Sequence, residues 1–366
     1  MAKPHKFSFI EDETPHGSVS AYDRGPYDAE PLPDEDLWFL PPADYATQDA
    51  AHDLPLPRAD HRPLVDIAAW AEAERGVAGA LTDLGILLGR LAERLETGPQ
   101  GWLHRLALRE AADLSWLAGD RVPMERLALW LTLRLGGEGE DGQALARAGW
   151  AARRLVQAPA PKDDLAGFLG RVASDAHDGL ADQIADWAEV MGQGAWLHPI
   201  TQAALSYHIW PIVGVSAGHP SLPMMEAGVV AARHAGTAIG GPGFLPLCLG
   251  GAGGLRGRGT AAERLAAWVS GADQAARAAL RQLDSLRDWE GRTRAATAGL
   301  SGRTPPALVE LLSSWPLVSA PMAEAETGAS RAAVQRNLNW MTEAGLIREV
   351  TGQGRYRFWA AAPGPV

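Results

Sequence analysis

Ser319-Ala-Pro-Met-Ala-Glu-Ala-Glu-Thr-Gly328, followed at once by Ala329-Ser330-Arg-Ala-Ala-Val-Gln-Arg-Asn-Leu-Asn-Trp-Met-Thr-Glu-Ala-Gly345, reads as a short helix, a glycine turn and a second helix. Val334, Leu338 and Met341, at steps of 4 and 3, mark the buried face of the second helix. Arg331, Gln335, Arg336 and Asn339 then fall on the opposite face, and Ser330 is a natural N-cap. Upstream, Pro305-Pro306 opens a preceding helix that buries Leu308, Leu311 and Leu312. Downstream, Leu346-Ile-Arg-Glu-Val350 and Arg355-Tyr-Arg-Phe-Trp359 flank a Thr351-Gly-Gln-Gly354 turn. Gly352 and Gly354 permit a tight hairpin there, with Arg355 and Arg357 alternating outward beside Tyr356 and Phe358. The stretch 303–362 is therefore expected to be a winged helix-turn-helix with a small β-hairpin wing.

Such a device places side chains in a DNA major groove. Arginine suits guanine edges or phosphate, whereas glutamine and asparagine suit adenine. The candidate DNA-binding residues are Ser330, Arg331, Gln335, Arg336 and Asn339 on the second helix and Arg355 and Arg357 on the wing. The expected partner is double-stranded DNA, met by a two-fold homodimer, because one such helix reads too few bases for useful specificity. A winged helix used only for protein contact, and a plain helical hairpin, stand as alternatives.

The net charge of −11 looks wrong for a DNA-binding chain, but its distribution matters more than its sum. Residues 1–60 hold 13 acidic side chains against 4 basic ones, leaving only −2 for the remaining 306. From Arg331 to Arg357 there are 5 Arg and 2 Glu, a local excess of +3. Phosphate contact needs a modest positive face of this kind.

Residues 1–60 are acidic and interrupted by Pro31, Pro33, Pro41, Pro42, Pro55 and Pro57, so they are expected to form a disordered or loosely draped tail. Leu37-Trp-Phe-Leu40 is its one apolar anchor, suited to docking on the folded part or to a partner motif. The N-terminus turns acidic without an apolar run, unlike a secretory signal, and no stretch reaches membrane-span length. The single cysteine, Cys248, excludes an internal disulfide and a multi-cysteine zinc site. A cytoplasmic location, with no metal or cofactor, is the expectation.

Residues 61–300 read as a mainly α multi-helix body. Leu81, Leu84, Leu88, Leu91 and Leu95 define one helix face ended by Gly98-Pro99. Amphipathic segments follow at about 101–117, 123–134, 143–156, 162–173 and 179–190, then Trp196 to Trp210, closed by Pro211. A glycine-rich flexible connector is expected at 235–259, around Phe244-Leu-Pro-Leu-Cys-Leu249. A long helix from about Ala261 to Ala298 carries an inner stripe at Leu265, Trp268, Val269, Ala276, Leu280, Leu283 and Leu286. No strand is expected before the wing. Gly250 to Gly259 lacks the Gly-Lys-Ser/Thr of a phosphate loop, and His198, His208, His219 and His234 lack metal-site spacing. Arg109, Glu110 and Asp113 read most simply as an ion-pair cluster on a helix surface, or else as the lining of a pocket against Trp116.

Two resemblances bear on the body. Trp196-Leu-His-Pro-Ile-Thr-Gln-Ala-Ala-Leu-Ser206 distantly resembles the catalytic motif of the Fic (filamentation induced by cAMP) family, His-Pro-Phe followed after two residues by Gly-Asn-Gly-Arg. Here His198-Pro199 is present, Ile200 stands for Phe, and Ala203-Ala-Leu-Ser206 replaces the phosphate cradle. Ala118 likewise replaces the family's inhibitory Glu. The resemblance implies a nucleotidyl transferase emptied of its nucleotide site, so whether the body is an enzyme stays open, leaning to no. Leu106-Ala-Leu-Arg-Glu-Ala-Ala, Phe244-Leu-Pro-Leu and Trp315-Pro-Leu-Val-Ser-Ala-Pro-Met resemble, more closely, a bacterial family joining a domain of unknown function to a helix-turn-helix DNA-binding domain. That resemblance implies DNA binding by domain type and nothing about ligand or target. The expected function is that of a transcriptional regulator whose helical body dimerises or senses an unidentified small-molecule effector. A degenerate Fic-type transferase and a non-catalytic interaction scaffold are the alternatives.

Overall fold

The computed structural model describes residues 65–133, 139–157, 159–171, 179–216, 222–351 and 357–362. The acidic tail, Leu37-Trp-Phe-Leu40, His219 and the wing tip with Arg355 lie outside these residues. Asp60–Val366 forms one compact unit. Thirteen α-helices and three short strands are seen among the described residues, a mainly α fold with its small sheet in the C-terminal region.

The first five helices are α1 Ile67–Gly76, α2 Ala78–Thr97, α3 Gly101–Ala118, α4 Met124–Leu133 and α5 Gly139–Val156. Asp66 caps α1 by accepting the Ala69 N–H at 3.0 Å. Of the expected α2 stripe, Leu81, Leu84, Leu88 and Leu91 are buried, Leu84 and Leu91 at 0% exposure, and Leu95 is half-buried. Helices α6 Leu165–Leu169 and α7 Leu180–Gln193 lead to α8 Pro199–Val213 and α9 Leu222–Ala238. Among its described residues, the 162–173 segment contributes only the five residues of α6.

Helices α8 and α9 pack on each other at the centre of the body. Pro211 does not close α8 but lies inside its last turn, and the helix runs on to Gly214, whose φ of 71° supplies the left-handed cap. A proline this near a C-terminus removes one intrahelical bond and leaves little helix beyond it to disrupt. Helix α9 is absent from the sequence expectations. Eleven of its seventeen residues are buried, on all sides, so it carries no amphipathic period to read.

The expected flexible connector is instead packed structure. Phe244, Leu245, Leu247, Cys248 and Leu249 are buried in the main core, and Gly254–Arg256 forms a 3-10 turn. That turn lies against α10 Ala261–Thr297. A Cβ on Gly271 of α10 would sit 2.5 Å from the Gly254 Cα. Glycine here serves close approach rather than mobility. A capping box, Thr260 with Glu263, starts α10, and every residue of its expected inner stripe is buried.

The C-terminal region comprises α11 Thr304–Ser314, β1 Val318–Ser319, α12 Ala320–Thr327, α13 Arg331–Glu343, β2 Ile347–Glu349 and β3 Phe358–Ala361. The sheet order is β1-β3-β2, antiparallel throughout, with Val318 opposite Trp359 and Ile347 opposite Ala361. Strand β1 precedes the wing, where none was expected, because two residues are too few to show alternation. Leu308, Leu312, Val334, Leu338 and Met341 form this region's core together with Trp289 of α10. The Trp289 indole N–H donates to the Leu346 carbonyl at 2.7 Å. Its burial contributes on the order of 2–3 kcal/mol to a core otherwise made by the following elements.

Body and C-terminal region share further contacts. The Trp102 indole N–H donates to Ser313 Oγ at 2.9 Å, and the Arg105 guanidinium donates to the Leu312 carbonyl at 3.2 Å. Gly101 meets Ser314 so closely that a Cβ would lie 2.2 Å from the serine Cβ. Ala128 of α4 packs with Leu317, Phe358 and Ala360 beneath the sheet.

Candidate nucleic-acid interface

Helix α13 follows α12 across Gly328, whose φ of 62° ends α12 in the left-handed region. Thr327-Gly328 therefore turns the chain as its sequence demands. Ser330 then starts α13, its hydroxyl accepting the Ala333 N–H at 3.3 Å. The Ser330 hydroxyl is thereby engaged in capping. The amides of the first helical turn point outward from a positive dipole end, a setting that favours phosphate.

Val334, Leu338 and Met341 are fully buried, whereas Arg331, Arg336 and Asn339 are exposed and Gln335 is half-buried. The helix therefore presents its polar side chains away from the core, as the period requires. Gln335 Nε2 donates to Asn339 Oδ1 at 3.0 Å, one turn apart. This contact leaves Gln335 Oε1 as acceptor and Asn339 Nδ2 as donor, the complement of an adenine edge. Asn337 is different: it is buried and its amide donates back to the Ala333 carbonyl at 2.8 Å. Arg331 and Arg336 form no ion pair with any described residue.

The wing carries less free charge than its composition promised. The Arg357 Nε donates to Glu349 Oε2 at 2.7 Å, and its guanidinium lies 4.9 Å from the Trp359 ring centroid. Register explains the pairing, since Glu349 lies opposite Trp359 in the ladder. Arg348 on β2, which the sequence reading passed over, is exposed and forms no ion pair with a described residue. Its single signal was strand alternation, too short to interpret over three residues.

The other sequence candidates have structural roles. His198 caps α8, its Nδ1 accepting the Ile200 N–H at 3.2 Å, while its own amide donates to Glu74 Oε2 at 2.8 Å. Ala203, Ala204, Leu205 and Ser206 are buried inside α8. Their amides are consumed by the helix, so no anion cradle exists there. Burial pushes the His208 and His234 pKa values down to about 4, keeping both neutral. No cluster of three or more His, Cys, Asp or Glu suited to a metal occurs among the described residues.

Glu110 overturns the surface-cluster reading. It is fully buried, and its carboxylate accepts the backbone N–H groups of Leu247 and Cys248, both at 2.8 Å, and of Leu249 at 3.2 Å. Burial raises its pKa to about 7 despite these three donors. Arg109 and Asp113 do pair at the surface, at 3.0 Å.

The sequence pattern of a family described as an HTH DNA binding domain matches residues 305–361. No curated protein matches the chain. Among the described residues no helix is long and apolar enough to cross a membrane. The protein thus carries a C-terminal helix-turn-helix DNA-binding domain, packed on a helical body.

Proposed function

We propose that the protein is a transcriptional regulator that reads double-stranded DNA through α13. Arg331, Gln335, Arg336 and Asn339 enter the major groove, and the first turn of α13 receives a phosphate. On the wing, Arg355 contacts backbone or minor groove. Arg357 adds less, since its charge is shared with Glu349. A two-fold dimer supplies the second half-site, and the helical body carries dimerisation or effector sensing. The observation that supports this reading best is the outward Gln335–Asn339 pair flanked by two arginines without ion-pair partners among the described residues.

Selection of bound fragments from a genomic library, followed by titration with salt, tests it. Arg331→Ala with Arg336→Ala is expected to weaken binding on the order of 100-fold and to lower the slope of log K against log salt by about 2. Unfolding should be unchanged. Binding and salt slope that survive the double substitution would overturn the recognition-helix assignment.

A further inference from the structure

Between the body and the DNA-binding domain lies a cavity of about 370 Å³. Its apolar walls come from Leu108 of α3, Leu131 of α4, Val156 of α5, Trp315 after α11 and Met322 of α12. The Trp315 and His104 rings, centroids 6.2 Å apart, stand together along it. Two opposite charges also line it, Arg153 from α5 and Glu326 from α12. Both are exposed, and neither side chain has an ion-pair or hydrogen-bond partner among the described residues.

The volume falls in the range of small-molecule sites, roughly 300–1,000 Å³, and is too small for a helix about 10 Å across. Carbon walls with an indole demand an apolar, preferably flat, body. The Arg153 guanidinium on the body side, hydrated when the cavity is empty, offers an anion, best a carboxylate, a bidentate partner. The equally hydrated Glu326 carboxylate on α12 offers a partner to a cation or an N–H donor. One chemical class meets all three demands, an aromatic amino acid or a close zwitterionic analogue.

We infer that this junction is a binding site for an aromatic zwitterion, its carboxylate on Arg153 and its ammonium on Glu326. The occupant would touch the body and the first helix of the helix-turn-helix together. Occupancy therefore biases how α12 sits against α4 and α5, and ligand and DNA affinities are linked reciprocally. That regulatory half rests on the DNA reading above; the site itself does not.

Calorimetry on the full chain with L-tryptophan, indole-3-propionate and tryptamine tests the site, because the last two lack the ammonium and the carboxylate respectively. L-Tryptophan is expected to bind about tenfold more tightly than either. Arg153→Gln should erase its advantage over tryptamine, and Glu326→Gln its advantage over indole-3-propionate. Val156→Trp, checked for native helicity, should fill the cavity and abolish binding. Equal binding of the three compounds, binding by none, or binding unaffected by a folded Val156→Trp variant overturns the site. DNA affinity that L-tryptophan leaves unchanged overturns the linkage. A chain that binds L-tryptophan but no DNA fails the proposed function while leaving the site standing.

Discussion

Helices α9 and α13 are similar in length and opposite in surroundings. Helix α9 buries eleven of seventeen residues, and even Gly228 is placed so that a Cβ would lie 2.8 Å from Leu114. Helix α13 buries four of thirteen and leaves Arg331, Ala332, Arg336, Asn339 and Glu343 exposed. An enclosed helix spends all its surface on folding. An open one folds with a single stripe and keeps the rest for a partner. The molecule is divided along this line: inside the body the Glu110 carboxyl is held by three backbone amides, whereas Arg331 and Arg336 on α13 have no ion-pair partner among the described residues.

The strongest way to test that division is to empty the body's deepest polar contact. Glu110→Ala strands the amides of Leu247, Cys248 and Leu249 without an acceptor, and should cost about 3–5 kcal/mol in urea unfolding. A loss under 1 kcal/mol would mean that this loop holds itself. The same carboxyl sets a pH dependence. Its pKa rises from 4.5 in the unfolded chain to about 7 in the fold. The stabilisation is therefore fully present below pH 4.5 and falls as the pH climbs towards 7. The decline is about 3 kcal/mol by linkage. Glu110→Gln should flatten that part of the stability profile.

Next in size is the seam between the two regions. Gly101→Ala puts a methyl 2.2 Å from the Ser314 side chain and 2.5 Å from its Cα, both part of α11. Backbone must move, at a cost of roughly 1–3 kcal/mol read from thermal unfolding. Full stability in that variant would show that the two regions are only loosely joined. The smallest effect belongs to the open helix itself. Ser330→Ala should cost about 1 kcal/mol, because one cap bond is lost and water satisfies the freed amide. Hydrogen exchange at Arg331 to Ala333 should show it first.

Legibility in the sequence follows the same division. Val334, Leu338 and Met341 announced α13 because its other face is polar, and Ser330 announced its start. Leu265 to Leu286 announced α10 for the same reason. Helix α9 stayed hidden because burial on every side erases the period. Glu110 misled because its neighbours Arg109 and Asp113 do form a surface pair, whereas its own partners lie 137 to 139 residues away. The glycines of 250–259 were mistaken for slack. Whether a glycine loosens a chain or lets two backbones touch depends on Gly271, which is remote in sequence. Arg357 looked free because its tie to Glu349 depends on strand register, which local composition does not set.

One consequence concerns where this chain can be cut. Helix α10 has 37 residues, about 55 Å of continuous rod, and delivers Trp289 into the core beneath α13. The natural seam at Gly302 and Pro305 is thus misleading. A fragment starting there would lack the indole that fills its centre and donates to Leu346. A transplantable DNA-reading unit has to begin upstream of Trp289, inside the helix that the body also claims.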